Sequence, residues 1–90
     1  MSADAEQSLI EFPTPFPIKI MGEAGAGLEA MVVDIVRRHD RAFVAESVET
    51  RMSSGGKYVS LTCTVTATSR EMLDALYREL SRHPHIKYVL

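Results

Sequence analysis

The chain has 90 residues, 46% hydrophobic and 24% charged, which fits one globular domain and leaves no room for a second. Ten Lys and Arg against twelve Asp and Glu give a formal net charge of −2, the wrong sign for a nucleic-acid binder. The single cysteine excludes an intramolecular disulfide, and no apolar run reaches the ~18 residues of a membrane span. The expectation is a small cytoplasmic protein that meets neither membrane nor nucleic acid.

Residues 1–10 are small and polar without an apolar period, which predicts a mobile tail. The single domain is expected over residues 11–90. Pro13, Pro15 and Pro17 follow at alternate positions. They hold the backbone extended and remove three N–H donors, so no helix forms and Pro13 and Pro15 should stand outside any central strand. Phe12 and Phe16 flank this lead-in and can pin it to a core.

Phe16, Ile18 and Ile20 alternate with Pro17, Lys19 and Met21, which predicts a first strand ending at Gly22. Leu28, Met31, Val32, Ile35 and Val36 then form one helical stripe, predicting a helix over about 25–40 with Arg37, Arg38 and His39 in its last turn. From Ala42 to Met52 the pattern is ragged and charged, as in an edge strand. Ser53-Ser54-Gly55-Gly56 supplies a chain reversal.

Tyr58 to Ala67 is the clearest strand. Val59, Leu61, Cys63, Val65 and Ala67 make an apolar face, and Tyr58, Ser60, Thr62, Thr64 and Thr66 a hydroxyl-rich one. Thr68 and Glu71 read as a capping box for a second helix. That helix carries Met72, Leu73, Leu76, Tyr77 and Leu80 on one stripe and stops before Pro84. His85 to Leu90 makes a last strand, with Ile86, Tyr88 and Leu90 on one face by alternation.

The order β-α-β-β-α-β predicts an α+β, ferredoxin-like sandwich. Its four-stranded antiparallel sheet has the strand order 4-1-3-2, with both helices on one face.

Candidate chemistry is sparse. Gly22, Gly25 and Gly27 have G-x-x-G-x-G spacing, which is not the dinucleotide fingerprint. They read first as a flexible connection. As a ligand-binding loop, the contacts would come from Gly22, Glu23, Gly25 and Gly27, with backbone N–H groups at the helix start facing an anion. His39, His83 and His85 lack the converging set that a metal needs, and Cys63 lies mid-strand on the apolar face. Glu46 and Glu49, three apart on an expected strand, would point to opposite faces and form no acid–base pair. No catalytic residue, metal or cofactor is expected, and the chain is not expected to be an enzyme. The outer sheet face, with Lys19, Tyr58, Ser60, Thr62 and Thr64, is the candidate interaction face, and a homodimer is expected to use such a face.

Several segments resemble the YbeD family of small bacterial proteins of uncharacterised function. They are Ile10-Glu11-Phe12-Pro13-Thr14-Pro15-Phe16, then Lys19 and Met21-Gly22, then Ser53-Ser54 with Gly56 and Tyr58. Leu76-Tyr77-Arg78-Glu79-Leu80 and the closing Val89-Leu90 complete the set. One departure is Gly55, which stands where the family carries a lysine, with Lys57 following. The resemblance implies a ferredoxin-like fold similar to ACT regulatory domains. Those domains hold their ligand near the loop after strand one, often at a subunit interface. It also implies a link to lipoate metabolism and assigns no catalytic residue. The expected function is a non-catalytic regulatory or small-metabolite-sensing module. The alternative is a protein-interaction adaptor that works through the sheet face or edge strand two.

Overall fold

The computed structural model describes residues 11–25 and 27–90. The tail expected over residues 1–10 lies outside the described residues. The elements are β1 (Thr14–Glu23), α1 (Leu28–His39), a 3-10 turn (Ala45–Ser47), β2 (Glu49–Met52), β3 (Tyr58–Ala67), α2 (Arg70–Ser81) and β4 (Ile86–Val89). The sheet is antiparallel, with the order β2-β3-β1-β4, which is the expected 4-1-3-2 read from the other edge.

Alternation in β1 and β3 builds the core. Ile18 and Ile20 of β1 and Leu61, Cys63, Val65 and Ala67 of β3 are at most 1% exposed. Val32 and Val36 of α1 and Leu76 and Leu80 of α2 meet them in the same cluster. Phe12 and Phe16 pack against its margin, as the lead-in pattern suggests.

Four local expectations change. First, Pro15 lies within β1 opposite Thr66, alongside the expected Pro17 opposite Thr64. The Lys19 amide donates to Leu90 O, so odd-numbered β1 residues turn their N–H toward β4. β4 has ended by the level of Pro17, so neither proline removes a ladder bond. Second, α1 begins at Leu28 rather than near residue 25, because Gly27 takes a left-handed conformation (φ 68°) immediately before it.

Third, only Glu49–Met52 of the expected second strand pairs with β3. Upstream, Phe43 turns into the core at 5% exposure, and its carbonyl accepts from Arg37 Nε at 3.2 Å. The chain then closes a turn in which the Ser47 hydroxyl donates to Val44 O. Glu46 therefore sits in a turn, not on a strand. Fourth, the cap of α2 is Ser69, not Thr68. Its hydroxyl oxygen accepts from the Met72 amide at 3.0 Å.

β4 carries an irregularity that alternation could not show. Met21 pairs with Tyr88, but Gly22 pairs with Ile86, which leaves Lys87 as an extra residue. The bulge breaks the expected face of Ile86, Tyr88 and Leu90. Ile86 faces the core, and Val89 packs against its margin. Tyr88 stands beside Met21 on the outer face, 47% exposed.

Candidate functional site

The expected site residues fall in two regions, the connection from β1 to α1 and the outer face of the sheet.

The connection is shorter than its glycine spacing suggests, because Gly22 and Glu23 belong to β1. Gly22 is buried. A Cβ there would stand 2.6 Å from His85 O and 2.8 Å from Leu28 Cδ2. Only hydrogen fits, so this glycine serves close packing between β1, α1 and the start of β4. Gly25 (φ 84°) and Gly27 are exposed, and a Cβ at either would meet nothing within 4 Å. Among the described residues no side chain caps the first turn of α1, so its leading amides are open to solvent or an added acceptor.

Glu23 faces outward beside this connection. His85 Nδ1 lies 3.3 Å from Glu23 Oε1, and Lys87 Nζ lies 3.5 Å from Glu23 Oε2. The hydrogen bond to His85, followed by the positive charge of Lys87, holds the Glu23 carboxyl below its ordinary value. Lys87 Nζ also lies 5.9 Å from the centre of the Tyr58 ring. The bulge at Lys87 thus gathers four side chains at one end of the outer face.

All five residues of the expected interaction face stand on that side of the sheet, although Ser60 is only 7% exposed. Register adds what the sequence did not reveal. One row reads Arg51–Ser60–Met21–Tyr88 across the four strands, and the next reads Glu49–Thr62–Lys19, with Leu90 bonded to Lys19 at its end. The short Ser60 and Thr62 side chains floor a depression of about 260 Å³, walled by Lys19, Glu49 and Arg51.

The remaining candidates are placed elsewhere. Cys63 is fully buried, and burial with the nearby Glu29 charge pushes its thiol from 9.0 up to about 11. A thiolate nucleophile is not available there at neutral pH. His39 Nε2 lies 2.8 Å from Glu79 Oε1, and Arg38 reaches Glu79 Oε2 at 2.6 Å. His39 therefore joins α1 to α2 rather than standing free at a helix end. The His83 and His85 rings lie 5.9 Å apart and tilted by 33°. Among the described residues no three His, Cys, Asp or Glu side chains converge on a metal-sized point, and no helix is long and apolar enough to cross a membrane.

Comparison with known proteins places this geometry. Residues 7–90 match the family described as "Protein of unknown function (DUF493)". The chain belongs to that family. A UPF0250 protein of Leptothrix cholodnii is 59% identical over 85 residues, covering 94% of this chain and 93% of the relative. Another, from Janthinobacterium sp., is 54% identical over 87 residues, covering 97% and 96%. The resemblance to a family of small uncharacterised bacterial proteins therefore holds over nearly the whole DUF493 chain. Among solved structures, protein HP0495 from H. pylori superposes with a TM-score of 0.78 at 13% identity, covering 100% of this chain and 94% of that one. The ACT domain from GTP pyrophosphokinase of Chlorobium tepidum gives 0.58 at 16% identity, covering 86% and 97%. At such identities the likeness is one of fold, and the fold is ACT-like.

Proposed function

We propose that this DUF493 protein is a non-catalytic regulatory module that responds to a small metabolite. The observation that carries this reading is the fold match to an ACT domain over 86% of the chain. The proposed contact is the β1–α1 connection, through Glu23, Gly25 and Gly27. Exposed glycines there let a ligand approach the backbone, and the uncapped start of α1 favours a carboxylate. Amino acids and lipoate are the ligands to try first, lipoate because of the link that the family resemblance implies.

A thermal-shift screen tests the reading. A ligand at 100 times its dissociation constant adds ~2.7 kcal/mol. In a domain of this size that raises Tm by roughly 10 °C or more. A shift of that order with one amino acid or with lipoate supports the reading, and no shift with any of them counts against it.

A second reading, an interaction adaptor, is favoured by one observation. No layer of the described chain covers the outer sheet face, which presents Tyr88 and three cations, Lys19, Arg51 and Lys87. Affinity capture tests it. A defined protein retained by the wild-type chain and lost when Thr62 and Thr64 are changed to Lys would support it.

A further inference from the structure

We infer that the outer face of the sheet is covered by a second copy of this chain, packed face to face about a two-fold axis that runs across the strands. The inference is independent of whether the β1–α1 connection binds a ligand.

The argument begins with the two central rows. Arg51, Ser60, Met21 and Tyr88 occupy β2, β3, β1 and β4 in one row. Glu49, Thr62 and Lys19 continue on β2, β3 and β1 in the next, with Leu90, one residue past the end of β4, bonded to Lys19. A two-fold axis between the rows and perpendicular to the strands lays each row of one copy over the other row of its partner. Every resulting pair is chemically matched. Arg51 meets the partner's Glu49, and Ser60 meets the partner's Thr62. The Met21 thioether meets the alkyl stem of the partner's Lys19, and the Tyr88 ring meets the partner's Leu90. Each contact occurs twice, as an isologous interface requires.

Three features of the free chain fit this arrangement. Glu49 and Arg51 are exposed and share in no ion pair within 4.0 Å among the described residues. Two residues apart on a strand, they stay on one face without bonding each other. Tyr88 and Leu90 are 47% and 65% exposed, large apolar surfaces left bare at the β4 side. Facing sheets pack about 10 Å apart, and the depression over Ser60 and Thr62 lies directly beside β2, so the paired Arg51 and Glu49 side chains of both copies have room to lean into it. Sheet twist rotates the facing strands by about 30°, which long Arg and Glu side chains span.

Area sets the strength. Four strands at ~4.8 Å and about six residues of length present roughly 400–500 Å² on each copy. The total lies at or just below the ~1,000 Å² lower limit for a specific interface. The dimer is therefore weak and reversible, and salt weakens it further because its ion pairs lie at the sheet edge.

Sedimentation equilibrium of the full chain at tens to hundreds of micromolar tests the inference, with circular dichroism confirming that each variant is folded. The wild type is expected to associate reversibly toward twice its 10.0 kDa mass. Arg51→Glu and Glu49→Arg each set like charges against each other and should weaken association about tenfold or more. Mixing the two single variants restores opposite charges at both pairs and should restore the dimer, as should combining both changes in one chain. A wild type that stays monomeric overturns the inference, whether the face is bare or kept for a different protein. A dimer that both charge reversals leave unchanged also overturns it and puts the contact elsewhere. Loss in the single variants without rescue by mixing overturns the proposed register.

Discussion

Met21 on β1 stands directly opposite Tyr88 on β4, and the extra residue Lys87 is what brings them together. Without that bulge, pairing would continue in step from Met21 and Tyr88, and Gly22 would meet Lys87 instead of Ile86. Ile86 would then lose its buried place. One inserted residue therefore serves two ends. It keeps Ile86 in the core and frees Lys87 to reach Glu23 and Tyr58.

Gly22 bears on this corner most sharply. In Gly22→Ala the added Cβ meets backbone at His85 O, which cannot swing aside as a side-chain tip could. The expected loss is about 1–3 kcal/mol, read as a lower urea midpoint at unchanged slope. A variant as stable as wild type would mean that β1 and the start of β4 separate more easily than their packing indicates.

Asp40 gives a second test. Even-numbered β3 residues turn their N–H toward β2, but β2 begins only at the level of Thr62. Asp40 Oδ2 accepts from the Thr66 amide at 2.9 Å, and Oδ1 accepts from the Ala42 amide at 3.2 Å. The carboxylate thus finishes an edge that β2 leaves open. Asp40→Ala strands both donors and should cost about 1–3 kcal/mol. Asp40→Asn, which keeps one acceptor oxygen, should cost less.

Glu23 predicts a pH dependence. Its folded pKa lies below the ordinary 4.5, chiefly through His85 and then Lys87. The ionised form is favoured in the folded chain. Its contribution is present above the ordinary value and is lost as pH falls through the lowered one. Carbon-detected NMR titration of the Glu23 carboxyl should show a midpoint below 4.5 that moves upward in Lys87→Met. A midpoint that does not move would mean that Lys87 holds no part of the shift.

Cys63 predicts the opposite sign. Its thiol titrates near 11 in the folded chain against 9.0 ordinarily. The stability tied to the neutral thiol is present below pH 9.0 and is lost as pH rises toward 11. At pH 8 a disulfide reagent such as Ellman's should leave the folded chain unlabelled and label it fully in urea. Fast labelling of the native chain would show that β3 opens locally.

Much of this fold was legible because alternation and helical spacing are local. β3 shows ten residues of unbroken period two and has those bounds in the structure. The stripes from Leu28 and from Leu73 both became core-facing helix surfaces. The misread parts depended on distant partners. Whether a proline costs a bond depends on where the neighbouring strand stops, and nothing near Pro15 reports where β4 stops. The bulge at Lys87 exists only relative to β1. Asp40 and Glu79 carry no local signal, because their partners, Thr66 and the pair Arg38 and His39, lie 26 to 41 residues away. The outer face was foreseen in part. Lys19, Tyr58, Ser60, Thr62 and Thr64 were read from period two, whereas the place of Tyr88 and the ordering of Glu49 and Arg51 into matched rows required the register.

The central claim is that this DUF493 chain works by binding at its β1–α1 connection, and ¹⁵N NMR of the full chain tests it most directly. Each amino acid and lipoate is added in turn while the backbone amides are followed. The account predicts that one of them produces saturable shifts at Gly25, Gly27 and Leu28, with the amides of the β3 core, such as Cys63, unmoved. Spectra unchanged by every ligand, or shifts confined to other parts of the chain, would contradict it.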